Sequence, residues 1–152
     1  MKKKYVILSM LSVLTLSSTA KEIEVEPRVG ICTTSPIKIC PVLGGLVSVS
    51  LAERFYIQPG VLFSFVGANL NYNTLKTDIP VYASYRIPIR HVRLHLNAGP
   101  TLSIHKGAAV GVSAESGAEY KRFYAGLTYL QDFATGSDIF FNLSVGYKFR
   151  VR

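Results

Sequence analysis

The sequence predicts an all-β protein, an eight-stranded antiparallel up-and-down transmembrane β-barrel. Three observations lead to this prediction. Along the last segment, every odd position from Phe141 to Val151 is apolar or aromatic, and the even positions between them are polar, charged or glycine. The same period of two recurs between turn residues along the chain, with no useful helical periodicity after Ala20. The chain also begins with the pattern of an export signal.

Residues 1–20 are predicted to be a cleaved secretory signal peptide, which leaves one barrel domain at 21–152. Met1–Lys4 form a basic start, Tyr5–Leu16 is apolar, and small residues precede the expected cleavage site. The apolar run is too short for a membrane helix, which needs roughly 20 residues. No cysteine follows the junction, so we expect no lipoprotein anchor.

The charge of the chain argues against nucleic acid as a partner. Its formal net charge of +8 includes three lysines of the predicted signal peptide, so the mature chain carries +5, spread along its length. An exported protein without a basic stripe is a poor nucleic-acid binder. We expect outer-membrane lipid, the outer-membrane assembly machinery and an extracellular or envelope protein as partners of a monomer, and no cofactor.

Eight segments alternate between apolar and polar residues, and all but the short sixth reach the length of about 9–11 residues that a strand needs to cross a bilayer. An even number of strands is typical of single-chain outer-membrane barrels. The predicted strands lie near Glu22–Cys32, Leu43–Leu51, Phe55–Val66, Asp78–Ile87, Val92–His105, Gly107–Ala114, Glu119–Leu130 and Phe140–Arg152.

The connections between these strands differ in length, as periplasmic turns and outer loops do in such barrels. Tight turns are predicted after strands two, four and six, at Ala52–Arg54, Pro88–His91 and Glu115–Gly117. Longer polar connections are predicted after strands one, three and seven, at Thr33–Lys38, Gly67–Thr74 and Gln131–Asp138.

Alternation by itself does not say which face points inward, because a soluble barrel places apolar residues inside and a membrane barrel places them outside. The polar face carries charges of both signs, which suits a paired interior network. We predict this network to contain Glu24, Glu26, Arg28, Asp78, Arg86, Arg93, Arg122 and Lys148.

Aromatic residues of the apolar face favour the membrane interpretation, because they cluster near the two ends of the strands, as interfacial girdles do. One predicted girdle contains Phe55, Tyr85, Tyr147 and Phe149, and the other contains Phe65, Tyr129 and Phe141.

Eight strands enclose a space that side chains can fill, so we expect a narrow, closed lumen and no diffusion pore. Three prolines lie inside predicted strands, where each removes a ladder hydrogen bond. We expect local β-bulges at these positions, which are Pro59, Pro80 and Pro100.

Five short motifs in order resemble the PorT-like small outer-membrane β-barrel family, with OmpA/OmpX-type architecture. The resemblance covers nearly the whole mature chain and implies an eight-stranded barrel without catalytic residues. The chain has Gly60 where the family usually has an acidic residue, and the region of strands six and seven looks shortened. The motifs are Phe55–Ser64, Asp78–Val81, Ala98–Pro100, Ala125–Thr128 and Leu143–Phe149.

The two cysteines, Cys32 and Cys40, flank the first predicted hairpin and share its inward face. In an oxidising compartment this arrangement favours a disulfide that closes the first outer loop. Two unpaired thiols are the alternative.

Ser103, His95 and His105 share one face of strand five, and a serine–histidine pair is the minimum for acyl transfer. No acidic residue is placed to orient either histidine, so we interpret these side chains as polar filling of the lumen. Together with His91 the histidines show no recurring ligand spacing, and we expect no catalytic, cofactor or metal residues.

The sequence therefore predicts a non-enzymatic protein of the bacterial outer membrane that acts as a structural or interaction protein through its outer loops. The alternatives are an accessory component of an envelope secretion or transport complex, a lipid-modifying barrel enzyme, and a soluble ligand-binding barrel.

Overall fold

The computed structural model describes residues 22–34, 38–65, 75–105, 107–133 and 139–151. The predicted signal peptide and much of the three longer predicted connections lie outside these ranges. The described strands are β1 (Ile23–Thr34), β2 (Lys38–Ser50), β3 (Phe55–Phe65), β4 (Leu75–Ile89), β5 (Val92–Ile104), β6 (Ala108–Tyr120), β7 (Phe123–Asp132), β8 (Ile139–Tyr147) and β9 (Phe149–Arg150).

No helix in the described part of the chain is long and apolar enough to cross a membrane.

The strands form one closed antiparallel sheet in which each of β1 to β8 pairs with its neighbours in the chain. β1 pairs with β2 on one side and with β8 on the other, which closes the barrel. The short β9 continues β8 and also pairs with β1. The ladder is interrupted at Tyr147 and Lys148, beside Pro27 of β1, because proline has no N–H to donate. The fold is therefore the predicted eight-stranded up-and-down transmembrane barrel.

The register defines the tilt of the strands. From Ile23 of β1, cross-strand partners lead through β2 to β7 and reach Phe141 of β8. Phe141 pairs with Thr33, so one circuit returns to β1 ten residues beyond its start. A shear of this size in eight strands tilts them by roughly 35–45° and leaves room inside only for side chains.

The two ends of the barrel differ. Three described turns, residues 51–54, 90–91 and 121–122, lie at one end together with Glu22 and Val151; we call it the turn end. The opposite end, the loop end, carries the connections of β1–β2, β3–β4, β5–β6 and β7–β8. Arg90 and Lys121 begin two-residue turns with φ of 52° and 59°, the left-handed region that tight hairpins require.

The structure corrects several predicted connections. At Pro88–His91, Pro88 and Ile89 belong to β4, and the first two residues of Gln131–Asp138 belong to β7. Glu115–Gly117, predicted as a turn, lies inside β6, which continues to Tyr120. Small residues and glycine suggested a turn there, but regular pairing with β5 and β7 keeps the segment extended. The first connection is also shorter than predicted, because the β1–β2 ladder extends to Thr34 and Lys38.

The prediction of bulges at strand prolines is wrong. Each proline coincides with a gap of two residue pairs in one ladder, and the pairing resumes in the same register. In the β2–β3 ladder, for example, the gap lies between the pairs Leu46–Gly60 and Val49–Ile57, and both strands advance by three residues. No extra residue is inserted, since losing one donor breaks local hydrogen bonds without changing the strand's length. The prolines concerned are Pro59, Pro80 and Pro100.

Side chains alternate between the lumen and the outer surface. In β4, Lys76, Asp78 and Tyr82 are buried in the barrel, while Val81 is 43% exposed on its outer side. The other long strands follow the same pattern. Their buried residues include most of the charged ones, and their exposed residues are largely aliphatic or aromatic. The polar face of the alternation is therefore the inner face.

Candidate functional site

The largest concentration of chemically active groups is the lumen, where charged side chains meet in three layers. At the turn end, Arg86 of β4 donates a hydrogen bond from Nη1 to Oε2 of Glu24 at 2.8 Å. Glu119 of β6 accepts one from Nζ of Lys148 at 2.9 Å, and Nε2 of His95 lies 2.8 Å from the same carboxylate oxygen. All five side chains are 3% exposed or less, so this layer joins β1, β4, β5, β6 and the end of β8 by buried ionic contacts.

In the middle layer, one carboxylate accepts four hydrogen bonds. Glu115 accepts hydrogen bonds from Nη1 of Arg28 at 2.6 Å and from Nδ2 of Asn97 at 2.8 Å. The hydroxyls of Tyr124 and Thr128 donate to it at 2.5 Å and 2.7 Å. A carboxylate has about four lone-pair sites, so its acceptor capacity is filled. Glu115 thereby connects β1, β5, β6 and β7 across the lumen.

Two glycines make room for the ring of Tyr124. A Cβ atom at Gly117 of β6 or Gly126 of β7 would overlap its phenol group. The guanidinium of Arg28 lies 4.4 Å from the centre of the ring, within the distance of a cation–π contact. Glycine at these inward positions therefore lets the tyrosine lie close to the barrel wall and reach Glu115.

At the loop end, Lys76 of β4 lies between two carboxylates. Its Nζ is 3.3 Å from Asp78 and 3.4 Å from Asp132, and it lies 3.5 Å from the ring centre of Phe140. The hydroxyl of Ser103 contacts the same two carboxylates at 2.5 Å and 2.9 Å. A cavity of about 30 Å³ remains beside this cluster, which is space for about two water molecules.

Cys32 and Cys40 are direct cross-strand partners in the β1–β2 ladder and are joined by a disulfide. Their Cα atoms are 5.2 Å apart, within the usual range for disulfides. Both side chains are buried, in contact with Val42 and Leu62. The pair lies in the lumen near the loop end.

The aromatic residues assigned to girdles point outward at the two ends. Ring centres are 5.0 Å apart for Phe55 and Tyr85, and 4.8 Å for Tyr147 and Phe149. Tyr129 and Phe141 pair at 5.6 Å toward the loop end, where Phe65 also lies exposed at the last position of β3. Sequence reasoning omitted Tyr120 and Phe123, which belong with the turn-end group.

Of the residues assigned to the interior network, six are buried in the lumen: Glu24, Glu26, Arg28, Asp78, Arg86 and Lys148. The side chain of Arg93 is 31% exposed and reaches Glu119 at 3.4 Å. The assignment of Arg122 to the interior is wrong, because this residue lies in the β6–β7 turn with its side chain exposed.

Four buried charged residues were missed by sequence reasoning. Glu115 was read as part of a turn, and Glu119 was placed at the start of strand seven rather than inside β6. Continuing the alternation of β6 through Ser113 and Gly117 would have placed both on the inner face. Lys76 and Asp132 were missed because β4 and β7 extend further toward the loop end than predicted.

Among the described residues, Ser103 does not form a hydrogen bond with His95 or His105, as a serine–histidine pair for acyl transfer would. Ser103 hydrogen-bonds to the two loop-end aspartates, and His95 contacts Glu119 in the turn-end layer. His105 follows the last residue of β5. Within the described ranges, no group of three or more His, Cys, Asp or Glu residues could hold a metal ion.

Comparisons with known proteins agree with the barrel architecture. The structure resembles Neisserial surface protein A (NspA) with a TM-score of 0.67 and 12% sequence identity over 84% of this chain and 94% of that one. It resembles the N-terminal β-barrel domain of Pseudomonas aeruginosa OprF with a TM-score of 0.59 and 12% identity over 86% and 98% of the two chains. For Ail, the attachment invasion locus protein of Yersinia pestis, the TM-score is 0.51, with 10% identity over 84% and 97%.

No family model and no curated protein matches the sequence, so the resemblance to the PorT-like family remains a prediction. A de novo designed transmembrane β-barrel also matches, with a TM-score of 0.53 and 13% identity over 83% of this chain and 95% of that one. A fold that natural and designed chains share does not define a biological role. At these identities the comparisons show the fold, a small eight-stranded β-barrel of the outer-membrane type.

Proposed function

We propose that the chain is exported and inserted into the bacterial outer membrane, where it acts as a non-enzymatic structural or interaction protein. Its barrel serves as a stable, closed support, and its loop end presents the surface that contacts an extracellular or envelope partner. The export signal and the resemblance of the fold to outer-membrane barrels support the location.

The observation that carries this proposal is the filled lumen. Three layers of paired charges join opposite walls. The loop-end cavity has space for about two water molecules, and a pocket of about 210 Å³ lies at the turn-end mouth. Buried charges are costly unless they are paired and hydrogen-bonded, and here most of them have partners. A lumen filled in this way supports the barrel, and among the described residues the paired middle layer obstructs solute diffusion.

Membrane fractionation combined with a heat-modifiability gel tests the location and the closed barrel together. We expect the mature protein in the outer-membrane fraction, migrating faster before boiling than after. In planar bilayers the purified protein should give no stepwise conductance. A mature protein that stays soluble without detergent would refute the membrane location, and regular conductance steps would refute the closed lumen.

Co-purification from native membranes separates the interaction role from the accessory role in a secretion complex. A stable set of envelope secretion proteins would favour the accessory role. In a second experiment, residues 67–73, between β3 and β4, are replaced by a short Gly-Ser linker. Loss of the co-purified partners from this variant would favour interaction through the loop end.

A further inference from the structure

A groove of about 700 Å³ crosses the outer surface of the barrel near the turn end. Its base is formed by Ala118 of β6 and Ala125 of β7, which are direct cross-strand partners. One step toward the turn end, the next outward row is aromatic, with Tyr120, Phe123 and Tyr147 as cross-strand neighbours. The small side chains at the base and the large ones beside them create the depression.

The sides of the groove are apolar and open to the surroundings. Phe123 is 65% exposed, and its ring centre lies 5.2 Å from that of Tyr147. In the same cross-strand row as Ala118 and Ala125, the side chains of Val145, Val29 and Leu43 continue the apolar surface, and each is more than half exposed. The volume falls within the roughly 300–1,000 Å³ that is typical of small-molecule sites.

Two cations lie at the turn-end border of this groove. Lys121 and Arg122 form the turn that directly joins Tyr120 to Phe123. The ammonium group of Lys121 lies 5.5 Å from the ring centre of Tyr120, so it is close to the groove's aromatic side. Neither side chain forms an ion pair within the part of the chain that the structure describes, and Glu119 is bound by Lys148. Both turn residues also line a separate pocket at the turn-end mouth of the lumen, together with Glu24, Glu119, Lys148 and Arg150.

We propose that this groove binds one phospholipid with an anionic headgroup, taken from the leaflet that the turn end faces. An acyl chain lies along the row of Ala118, Ala125 and the aliphatic side chains, beside the aromatic row. The phosphate of the headgroup lies against Lys121 and Arg122. The inference rests on the proposed membrane location, because a bilayer is what brings acyl chains to this surface.

The order of chemistry along the groove supports this occupant. An apolar depression gives way to tyrosine and phenylalanine at the level where amphipathic rings meet lipid headgroups, and then to two cations at the aqueous border. Lysine and arginine near a membrane surface attract anionic lipids. A neutral apolar ligand would use the groove and make no contact with the two cations of the turn.

Native mass spectrometry of the detergent-purified barrel tests the proposal with two defined probes, phosphatidylglycerol and phosphatidylcholine with identical acyl chains. We expect one phosphatidylglycerol per barrel to be retained in preference to phosphatidylcholine. Replacing Lys121→Asn or Arg122→Ser should each weaken phosphatidylglycerol binding by about fivefold. The matched control is Arg54→Ser, an exposed arginine in the β2–β3 turn, which should change it by less than about twofold.

The apolar half of the site is tested by Ala125→Leu, which fills the base of the groove and should reduce retention of both lipids. Ala98→Leu is its control, because Ala98 is an exposed outward alanine that does not line the groove. Each variant is first checked for heat-modifiable folding. Equal retention of the two lipids by a folded barrel, or equal losses in the Arg122 and Arg54 variants, would overturn the lipid site while leaving the proposed function intact. A mature protein that needs no detergent would instead overturn the proposed function.

Discussion

Glu115 is the residue whose loss should weaken the barrel most, because its carboxylate accepts four hydrogen bonds from three other strands. In Glu115→Ala, Arg28 keeps one carboxylate partner, Glu26, and three neutral donors lose their acceptor. Removing one partner of a buried ion pair costs about 3–5 kcal/mol. We expect the free energy of unfolding to fall by that amount, because the side chains of Asn97, Tyr124 and Thr128 donate to no other acceptor among the described residues.

Urea-induced unfolding and refolding in lipid vesicles, followed by the gel shift of the folded barrel, measures this change. Glu53→Ala is the matched control, since Glu53 is an exposed acid in the β2–β3 turn and should contribute less than about 0.5 kcal/mol. A double-mutant cycle with Arg28→Ala should give a coupling energy of at least about 1.5 kcal/mol. If Glu115→Ala costs less than about 1 kcal/mol, or no more than Glu53→Ala, the hydrogen bonds to Glu115 do not stabilise the barrel.

Three further changes test local features. Lys121→Gly should raise the unfolding free energy by up to about 1 kcal/mol, because glycine adopts a positive φ without steric cost; an unchanged urea midpoint would contradict this. Gly126→Ala should lower it by about 1–3 kcal/mol by displacing the ring of Tyr124, with loss of the heat-resistant band at a lower temperature as the readout. Serine at both Cys32 and Cys40 should cost about 2–3 kcal/mol, and alkylation of both thiols in the native, unreduced protein would show that no disulfide forms.

The sequence predicted the strands well where alternation was unbroken. β3 and β5 begin at the predicted residues, Phe55 and Val92, and each ends within one residue of its predicted end. β6 was predicted too short, because small residues and glycine resemble turn residues when read locally. Its extension to Tyr120 comes from pairing with β5 and β7, which depends on residues distant in the chain.

The prolines illustrate the same limit. The sequence shows that Pro59, Pro80 and Pro100 each lack a backbone N–H donor, and a β-bulge at each proline was therefore predicted. In the barrel, the flanking ladders hold the register on both sides of each gap, so the chain accepts a few missing hydrogen bonds instead.

By itself, the sequence determined which residues share a face, since the period of two is a property of the extended backbone alone. It did not determine which charges meet. Arg28 and Glu115 are 87 positions apart in the chain and contact each other only because the sheet closes with a shift of ten residues. The side chains that fill the lumen come from opposite walls, so their pairing is set by strand number and register together. The tertiary structure therefore decided which charged side chains form ion pairs in the lumen. It also decided that Glu115 is buried and hydrogen-bonded and that Arg122 is exposed.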